Sequence, residues 1–422
     1  MDPKVVGYGT YGCVTKPSLE CKSKNPLTKT RVSKLMHEKS ALEEKKEMEV
    51  ISKIKGIEKY VIKVPEICVP KKDDNFKKIF EECQDYTHYI KLYKYRPQEL
   101  RLLLLEDGGV SVHDYIYEVL HLQNIEDQKI FFTNILNLFE GLKFFKTHDI
   151  IHQDLKSSNL VYNASTGVIK FIDFGMATKI SKYIKKSKEN RNRLGVSHSY
   201  YPPETSCTNL HKFRRTKKCK QYRERTSSQY PSKMNHAQFI DIVANTFDTY
   251  CLTFDLYKRF NHLLTDKENG KGFSQIPSDF FVSSRSLMAQ YCFSDLLERK
   301  VDLNALYNDY KGLLIKHHMY SRKTPSALTP EISSVLDSMK LSMYKTPISL
   351  PLQRNTKPVK PCPPGKERNP VTNRCRKIQK NVVTNVNRRN TRKKQRTPLS
   401  KRPCPPGKER NPVTKRCRKI VK

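Results

Sequence analysis

An α+β chain in two lobes is what this sequence predicts, with a small strand-rich N-terminal lobe, a larger helical lobe and then a basic, largely irregular tail. Three observations carry the prediction. Short strand-like apolar runs cluster before residue 110, helical apolar spacing takes over at 126–150 and returns at 238–320, and prolines and charge dominate from about 323. The expected boundaries are a strand-rich lobe with its hinge at 1–109 and a helical lobe at 110–322 with a basic insertion near 205–233. A linker at 323–360 then leads to two repeats, 361–377 and 403–419, joined by a basic linker at 378–402.

Element by element, residues 1–35 read as short strands joined by a glycine-rich turn, and HEKSALEEKKEMEVISKIK at 37–55 as an amphipathic helix. The runs YVIKVPEICV and LRLLLL are strand-like, and EDGG at 106–109 is a hinge-like break. EDQKIFFTNILNLFEGLKFFKTHDI is a long, heavily buried helix that leads straight into IIHQDLKSSNLVYNASTGVIKFIDFG at 150–175. That stretch sets a histidine, two aspartates, a lysine and an asparagine near the lobe junction.

The formal net charge is +38, and residues 351–422 hold 24 Lys+Arg against two acids. Such charge attracts nucleic acid, anionic membrane surfaces or acidic proteins, or it merely solvates a disordered surface. MDPKVVGYGT lacks the apolar core of a signal peptide, and no run approaches the ~18 apolar residues of a membrane span. A soluble, intracellular protein is expected, with the eight scattered cysteines before residue 350 as reduced thiols.

The chemistry-bearing residues begin with Gly7-Tyr8-Gly9-Thr10-Tyr11-Gly12-Cys13-Val14, which fits GxGxxGxV. Such glycines let backbone N–H groups approach phosphate oxygens, although a plain turn reads the same way in isolation. Lys34, on a probable strand, could meet those phosphates or lie on the surface. Glu47 has Val50 and Ile51 at i+3 and i+4 and is expected to face inward as its carboxylate partner, with Glu43 and Glu44 as competing choices. Asp154 can take a hydroxyl proton, Lys156 can meet a transferring phosphoryl group, and Asn159 and Asp173 can offer hard oxygen ligands to Mg²⁺.

GxGxxGxV, a strand lysine, HxDLKxxN and DFG, in that order, resemble the protein kinases over roughly residues 4–320. The resemblance implies a bilobal kinase-like fold and transfer of the ATP γ-phosphoryl group with Mg²⁺ or Mn²⁺. By that resemblance Lys34 holds the α- and β-phosphates and pairs with Glu47, Asp154 is the proton acceptor, and Lys156 steadies the γ-phosphate. Asn159 and Asp173 would bind the metal, while Val14, Val32 and Val161 sandwich adenine and Glu106 starts the hinge that bonds its edge. Tyr-Pro-Pro-Glu at 201–204 replaces the family's Ala-Pro-Glu, and Asp248 matches the aspartate that braces the catalytic loop. The DLKxxN form and Ser197 resemble the serine/threonine class, so protein Ser/Thr hydroxyls are the expected substrates.

Gln153 departs from the arginine that many kinases use to bind a phosphorylated activation loop, and an amide has no charge to offer a phosphate. Activity without activation-loop phosphorylation is therefore expected. Thr253 departs likewise from the family's glycine, and the arginine that should pair with Glu204 has no evident place in the last helices.

In the tail PCPPGKERNPVTNRCRK and PCPPGKERNPVTKRCRK differ at one position, Asn373 against Lys415. Cys362/Cys375 and Cys404/Cys417 could form one Cys₄ zinc site, close two disulfides or belong to a repeated binding peptide. The repeats resemble the two-cysteine adaptor module fused to enzymes of large DNA viruses, and the divergent core resembles iridovirus-like kinases. This resemblance implies a viral protein of the infected-cell cytoplasm or viral factory, with packaging in the virion as a further expectation, whose tail recruits protein partners. Nucleic-acid binding by the basic tail is a further expectation. Two rivals stay open: a catalytically dead scaffold that works through the tail, and a small-molecule kinase.

Overall fold

The computed structural model describes residues 2–9, 12–23, 31–85, 96–189, 198–224, 233–293 and 295–342, together with four short strands of the tail. The chain divides into two units, Met1–Ile348 and Ser349–Lys422.

β1 (Lys4–Gly9), β2 (Gly12–Lys16), β3 (Arg31–His37), β4 (Glu66–Cys68) and β5 (Leu100–Glu106) form one antiparallel sheet in the order β1-β2-β3-β5-β4. The two-residue period of a strand sorts its side chains. Cys13, Leu35 and Leu102 stand in register on one face, where they form a core with Phe76 and Ile79 of α2 (Asp74–Asp85). Val14, Lys34 and Leu103 stand in register on the other, and α1 (Glu38–Ser52) packs there through Ala41.

Past the hinge, β6 (Val110–Ser111) and α3 (Val112–Asp114) lead to α4 (Ile125–Thr147). Buried Phe131, Phe132, Ile135, Leu138, Phe139 and Leu142 surround α4 on several sides, which makes it the central helix of the lobe. β7 (Ile150–Ile151) follows, and β8 (Leu160–Asn163) with β9 (Val168–Phe171) joins β6 in a three-stranded sheet. β10 (Thr178–Lys179) pairs back onto β7, and α5 (Ile180–Lys188) follows. α6 (Leu210–Arg215) and α7 (Lys220–Glu224) lie in the basic insertion, before the long α8 (His236–Glu268), α9 (Ser278–Cys292) and α10 (Leu303–Lys316). A capping box starts α8: Asn235 Oδ1 accepts from Gln238 N at 2.9 Å, and Gln238 Oε1 from Asn235 N at 3.0 Å. Among the described residues, no helix is long and apolar enough to cross a membrane.

Two expectations are corrected. First, the early cysteines are not all thiols, because Cys13–Cys83, Cys21–Cys68 and Cys207–Cys219 are disulfides; Cys251 and Cys292 are free and buried. Sequence separations of 70 and 47 residues hide pairings that the sheet and α2 create. Second, 323–360 is not linker throughout: α11 (Pro330–Ser342) buries Ile332 and Leu336 in the main core. Within the basic insertion, Cys207, Phe213, Cys219 and Tyr222 build a small core with Phe239 and Ile240 of α8.

In the tail, β11 (Lys366–Arg368) pairs with β12 (Cys375–Lys377), and β13 (Lys408–Arg410) pairs with β14 (Cys417–Lys419) in the equivalent register. Each repeat therefore contains one antiparallel strand pair. Cys362 and Cys404 lie outside the described residues.

Candidate active site

The first wall of the site is the β1–β2 turn, where Gly9 pairs with Gly12. A Cβ on Gly12 would lie 2.1 Å from the Leu35 carbonyl oxygen, so glycine there lets β2 lie close against β3. Thr10 and Tyr11 are outside the described residues, as is the Tyr8 side chain. Val14 and Lys34 are cross-strand partners, with Val32 two residues back on the same face of β3.

Lys34 Nζ reaches Glu44 Oε2 at 2.7 Å, and the two side chains are only 11% and 13% exposed. The expected partner, Glu47, is corrected to Glu44. The inward stripe of α1 runs through Ala41, Glu44, Met48 and Ile51 at helical spacing, whereas Val50 is 56% exposed. Glu47 instead sits beside Glu44, Glu43 and Asp173. Burial first, and then these like charges, push its carboxyl up to about 7 despite Lys182 nearby.

Opposite this wall, the loop after β7 is held from below by α8. Asp248 accepts from His152 N at 2.6 Å and Gln153 N at 3.0 Å, and Asp255 accepts from Ser157 N at 3.1 Å. The two aspartates are two helical turns apart and so share a face of α8. Burial pushes the Asp248 carboxyl up, against the pull of His152 and the two N–H donors. Gln153 has φ 69°, and its amide donates to the Met176 carbonyl at 2.6 Å. It ties the loop to the segment after Gly175.

Three residues of this loop converge. Asn159 Nδ2 donates to Asp154 Oδ2 at 2.7 Å and to its backbone carbonyl at 2.8 Å. Lys156 Nζ lies 3.1 Å from Asp154 Oδ2. The Tyr200 hydroxyl donates to Asp154 Oδ1. Asp173 has φ 61° and is exposed, while Phe174 beside it is buried against Phe145 and His152. Surrounding protein mass would raise the Asp173 carboxyl, but Lys34, His152, Lys156 and the Gly175 N–H together hold it below its ordinary value. Both halves of the site therefore act on one carboxylate.

Nearer the hinge, Glu106 ends β5, and its side chain accepts from Lys63 N at 3.2 Å and lies 3.5 Å from Lys170 Nζ. Val161 is buried on β8 beside Gly108, where a Cβ would come within 2.6 Å of Val161 Cγ2. Ser197 is outside the described residues.

With this geometry in view, the protein kinase domain model matches residues 2–219, just over half of the chain. The chain belongs to the protein kinase family. It is 31% identical over 131 residues to serine/threonine-protein kinase 17A of Oryctolagus cuniculus, which covers 30% of this chain and 31% of the relative. A Mycoplasma genitalium protein, whose name places it among serine/threonine-protein kinases, is 33% identical over 107 residues, covering 25% of this chain and 24% of its own. Cyclin-dependent kinase G1 of Arabidopsis thaliana is 40% identical over 70 residues, 17% of this chain and 11% of the relative. The chain thus spans about a third or less of the length of these curated relatives.

The kinase lobe also holds residues that the sequence reading missed. Arg299 pairs with Glu204 at 2.9 Å, both side chains 2% exposed, and Tyr222 of the insertion donates to the same Glu204 oxygen at 3.4 Å. Ninety-five residues separate that pair, and no periodicity links them. Asp255 was legible in principle, because it repeats Asp248 on the same face of α8. Tyr200 had no signal beyond its place before Tyr-Pro-Pro-Glu.

Proposed function

We propose that this chain transfers the γ-phosphoryl group of ATP to serine or threonine hydroxyls of proteins. The observation that carries the reading is the convergence of Lys156 and Asn159 on Asp154, with Asp173 held ionised by Lys34 and Lys156. In this reading Asp154 takes the acceptor's proton, Lys156 meets the charge on the transferring group, and Lys34, oriented by Glu44, holds the other phosphates. Gly7–Val14 covers the phosphates, Val14, Val32 and Val161 enclose the adenine, and the backbone near Glu106 meets its edge.

The donors suit a hard cation. Asn159 spends its amide nitrogen on Asp154, so its carbonyl oxygen remains as a donor, and Asp173 supplies an ionised carboxylate. Mg²⁺ or Mn²⁺ bound by these two residues would neutralise phosphate charge.

Radiolabelled ATP with casein as acceptor tests the proposal. The wild type should label serine and threonine, and Asp154→Ala should lower the rate at least ~100-fold. Transfer that survives the substitution refutes Asp154 as the base, and no transfer by the wild type favours the scaffold reading.

For the tail we propose recruitment of protein partners. Two antiparallel strand pairs with equivalent register support it, since tandem copies raise avidity. Resemblance of these repeats to the viral two-cysteine module supports a viral protein acting in the cytoplasm or viral factory of an infected cell. The disulfides then require an oxidising step in that setting. Pull-down by residues 351–422 against a tail with both repeats deleted tests recruitment. Salt-dependent DNA or RNA binding would favour nucleic acid instead.

A further inference from the structure

The basic segment 207–224 is a folded platform that the phosphoryl-transfer site does not use. Cys207–Cys219 closes it, and Phe213 and Tyr222 are buried against Phe239 of α8. Arg223 is spent on structure, since its guanidinium donates to the Phe213 carbonyl at 2.5 Å and to the Thr216 carbonyl at 3.2 Å. The surface offers charge. Lys212, Arg214 and Arg215 of α6, Lys217 and Lys218 of the turn that follows and Lys220 of α7 are all exposed. The segment has a single acid, Glu224, which lies 3.5 Å from Lys220. Its position relates this charge to the site. Tyr222 donates to Glu204, which pairs with Arg299, so the platform is fixed to the segment whose Tyr200 hydroxyl reaches Asp154. From Tyr200 to Cys207 the chain can span at most ~24 Å, about the length of eight residues of extended peptide. A second element adds to the same face. Burial first, and then Arg214 of α6 with Lys188 of α5, hold His236 below its ordinary pKa, against its bond to the Thr208 carbonyl.

We propose that the platform of α6 and α7 selects acidic protein substrates, holding a carboxylate-rich flank while the substrate's serine or threonine reaches Asp154; the inference rests on the kinase reading above and adds the substrate's class to it. Carboxylates a few residues from the acceptor hydroxyl fall within reach of these cations. Single exposed ion pairs are weak, so selection comes from several acting together. Nucleic acid fits the face less well. The two large aromatic side chains of the segment, Phe213 and Tyr222, are buried and are not offered to bases for stacking.

Full-length protein with ATP and Mg²⁺ is given three peptides of equal length, each with one central serine flanked by glutamates, by glutamines or by lysines, and casein as a control. kcat/KM for the glutamate peptide should exceed that for the glutamine peptide about tenfold, chiefly through KM, and the difference should shrink in high salt. Replacing four exposed cations together, Arg214→Gln, Arg215→Gln, Lys217→Gln and Lys218→Gln, should bring the glutamate peptide down to the glutamine peptide, whose own rate stays unchanged. The charge-keeping set Arg214→Lys, Arg215→Lys, Lys217→Arg and Lys218→Arg should retain the preference, which separates charge from folding. Equal use of the glutamate and glutamine peptides by the wild type overturns the inference and leaves the kinase reading intact. So does a preference that survives the four glutamines. Duplex DNA binding that the four glutamines abolish, with the peptide preference unmoved, assigns the face to nucleic acid and overturns it too. Label on no peptide and on no casein overturns both readings.

Discussion

The small lobe and the large lobe are held together by different means. Behind the five-stranded sheet the core is brief, and two disulfides, Cys13–Cys83 and Cys21–Cys68, run through it. The main core of the helical lobe is continuous and aromatic. Phe132 alone meets Phe131, Phe260, Phe280 and Phe281, and Cys251 and Cys292 stay unpaired within that core. The insertion repeats the first pattern on a smaller scale, with Cys207–Cys219 in its own satellite cluster. These crosslinks fall in two satellite cores and not in the main one, as they should if a small core contributes too little by itself. The two crosslinks of the small lobe also lie on the sheet face away from the site, which leaves Val14, Val32 and Lys34 facing the cleft.

Breaking the aromatic core should produce the largest effect. Phe132 is fully buried, so Phe132→Ala should cost about 3–5 kcal/mol in a chemical denaturation curve, and reductant should not reproduce the loss. Next comes the staple. Cys13→Ser with Cys83→Ser opens a 70-residue separation and should cost about 2–4 kcal/mol, with wild type in reductant approaching the same curve. If both treatments leave the denaturation midpoint unchanged, the small lobe does not depend on its crosslinks.

Two carboxylates on α1 sharpen the contrast on the cleft side. Glu44→Gln replaces a charge-assisted bond to Lys34, so kcat/KM should fall about tenfold or more with little change in Tm. An equal loss from Glu47→Gln alone would restore the original pairing. The smallest effect belongs to Glu47 itself. Its folded-state pKa of about 7 lies above the ordinary 4.5, so the native state binds more protons than the unfolded chain between those values. Its stabilising contribution is complete below 4.5 and lost as pH rises through 7. Glu47→Gln should therefore raise Tm by about a degree or two at pH 8 and make no difference near pH 4.

Legibility in the sequence followed distance along the chain. Asp154, Lys156 and Asn159 lie within six residues, so a short loop between β7 and β8 could hardly separate them, and the structure brings them into contact. Asp173 follows one hairpin later, and Asp248 was placed because its spacing matched a family pattern. Val50 and Ile51, at i+3 and i+4 from Glu47, point to an inward face there and not at Glu44. The helix turned its inward stripe by one residue position, and Val50 went to solvent. A helix pattern with so few apolar residues leaves that rotation undetermined until the sheet supplies a partner surface.

Gln153 shows the same division. Its lack of charge was visible at once, and with it the loss of a phosphate ligand. What replaces the charge, a neutral bond to the Met176 carbonyl, depends on how the segment after Gly175 folds back over the loop.

By itself, then, the sequence determined the two-lobed order, the loop chemistry around Asp154 and the tandem repeats of the tail, because each rests on local spacing or local periodicity. Tertiary structure decided the partner of Lys34, the Arg299 that neutralises Glu204, the three disulfides and the placement of Tyr200 on Asp154. Each of those joins segments that only packing brings together, and the free energy that selects them comes from burial of surfaces that neither segment possesses alone.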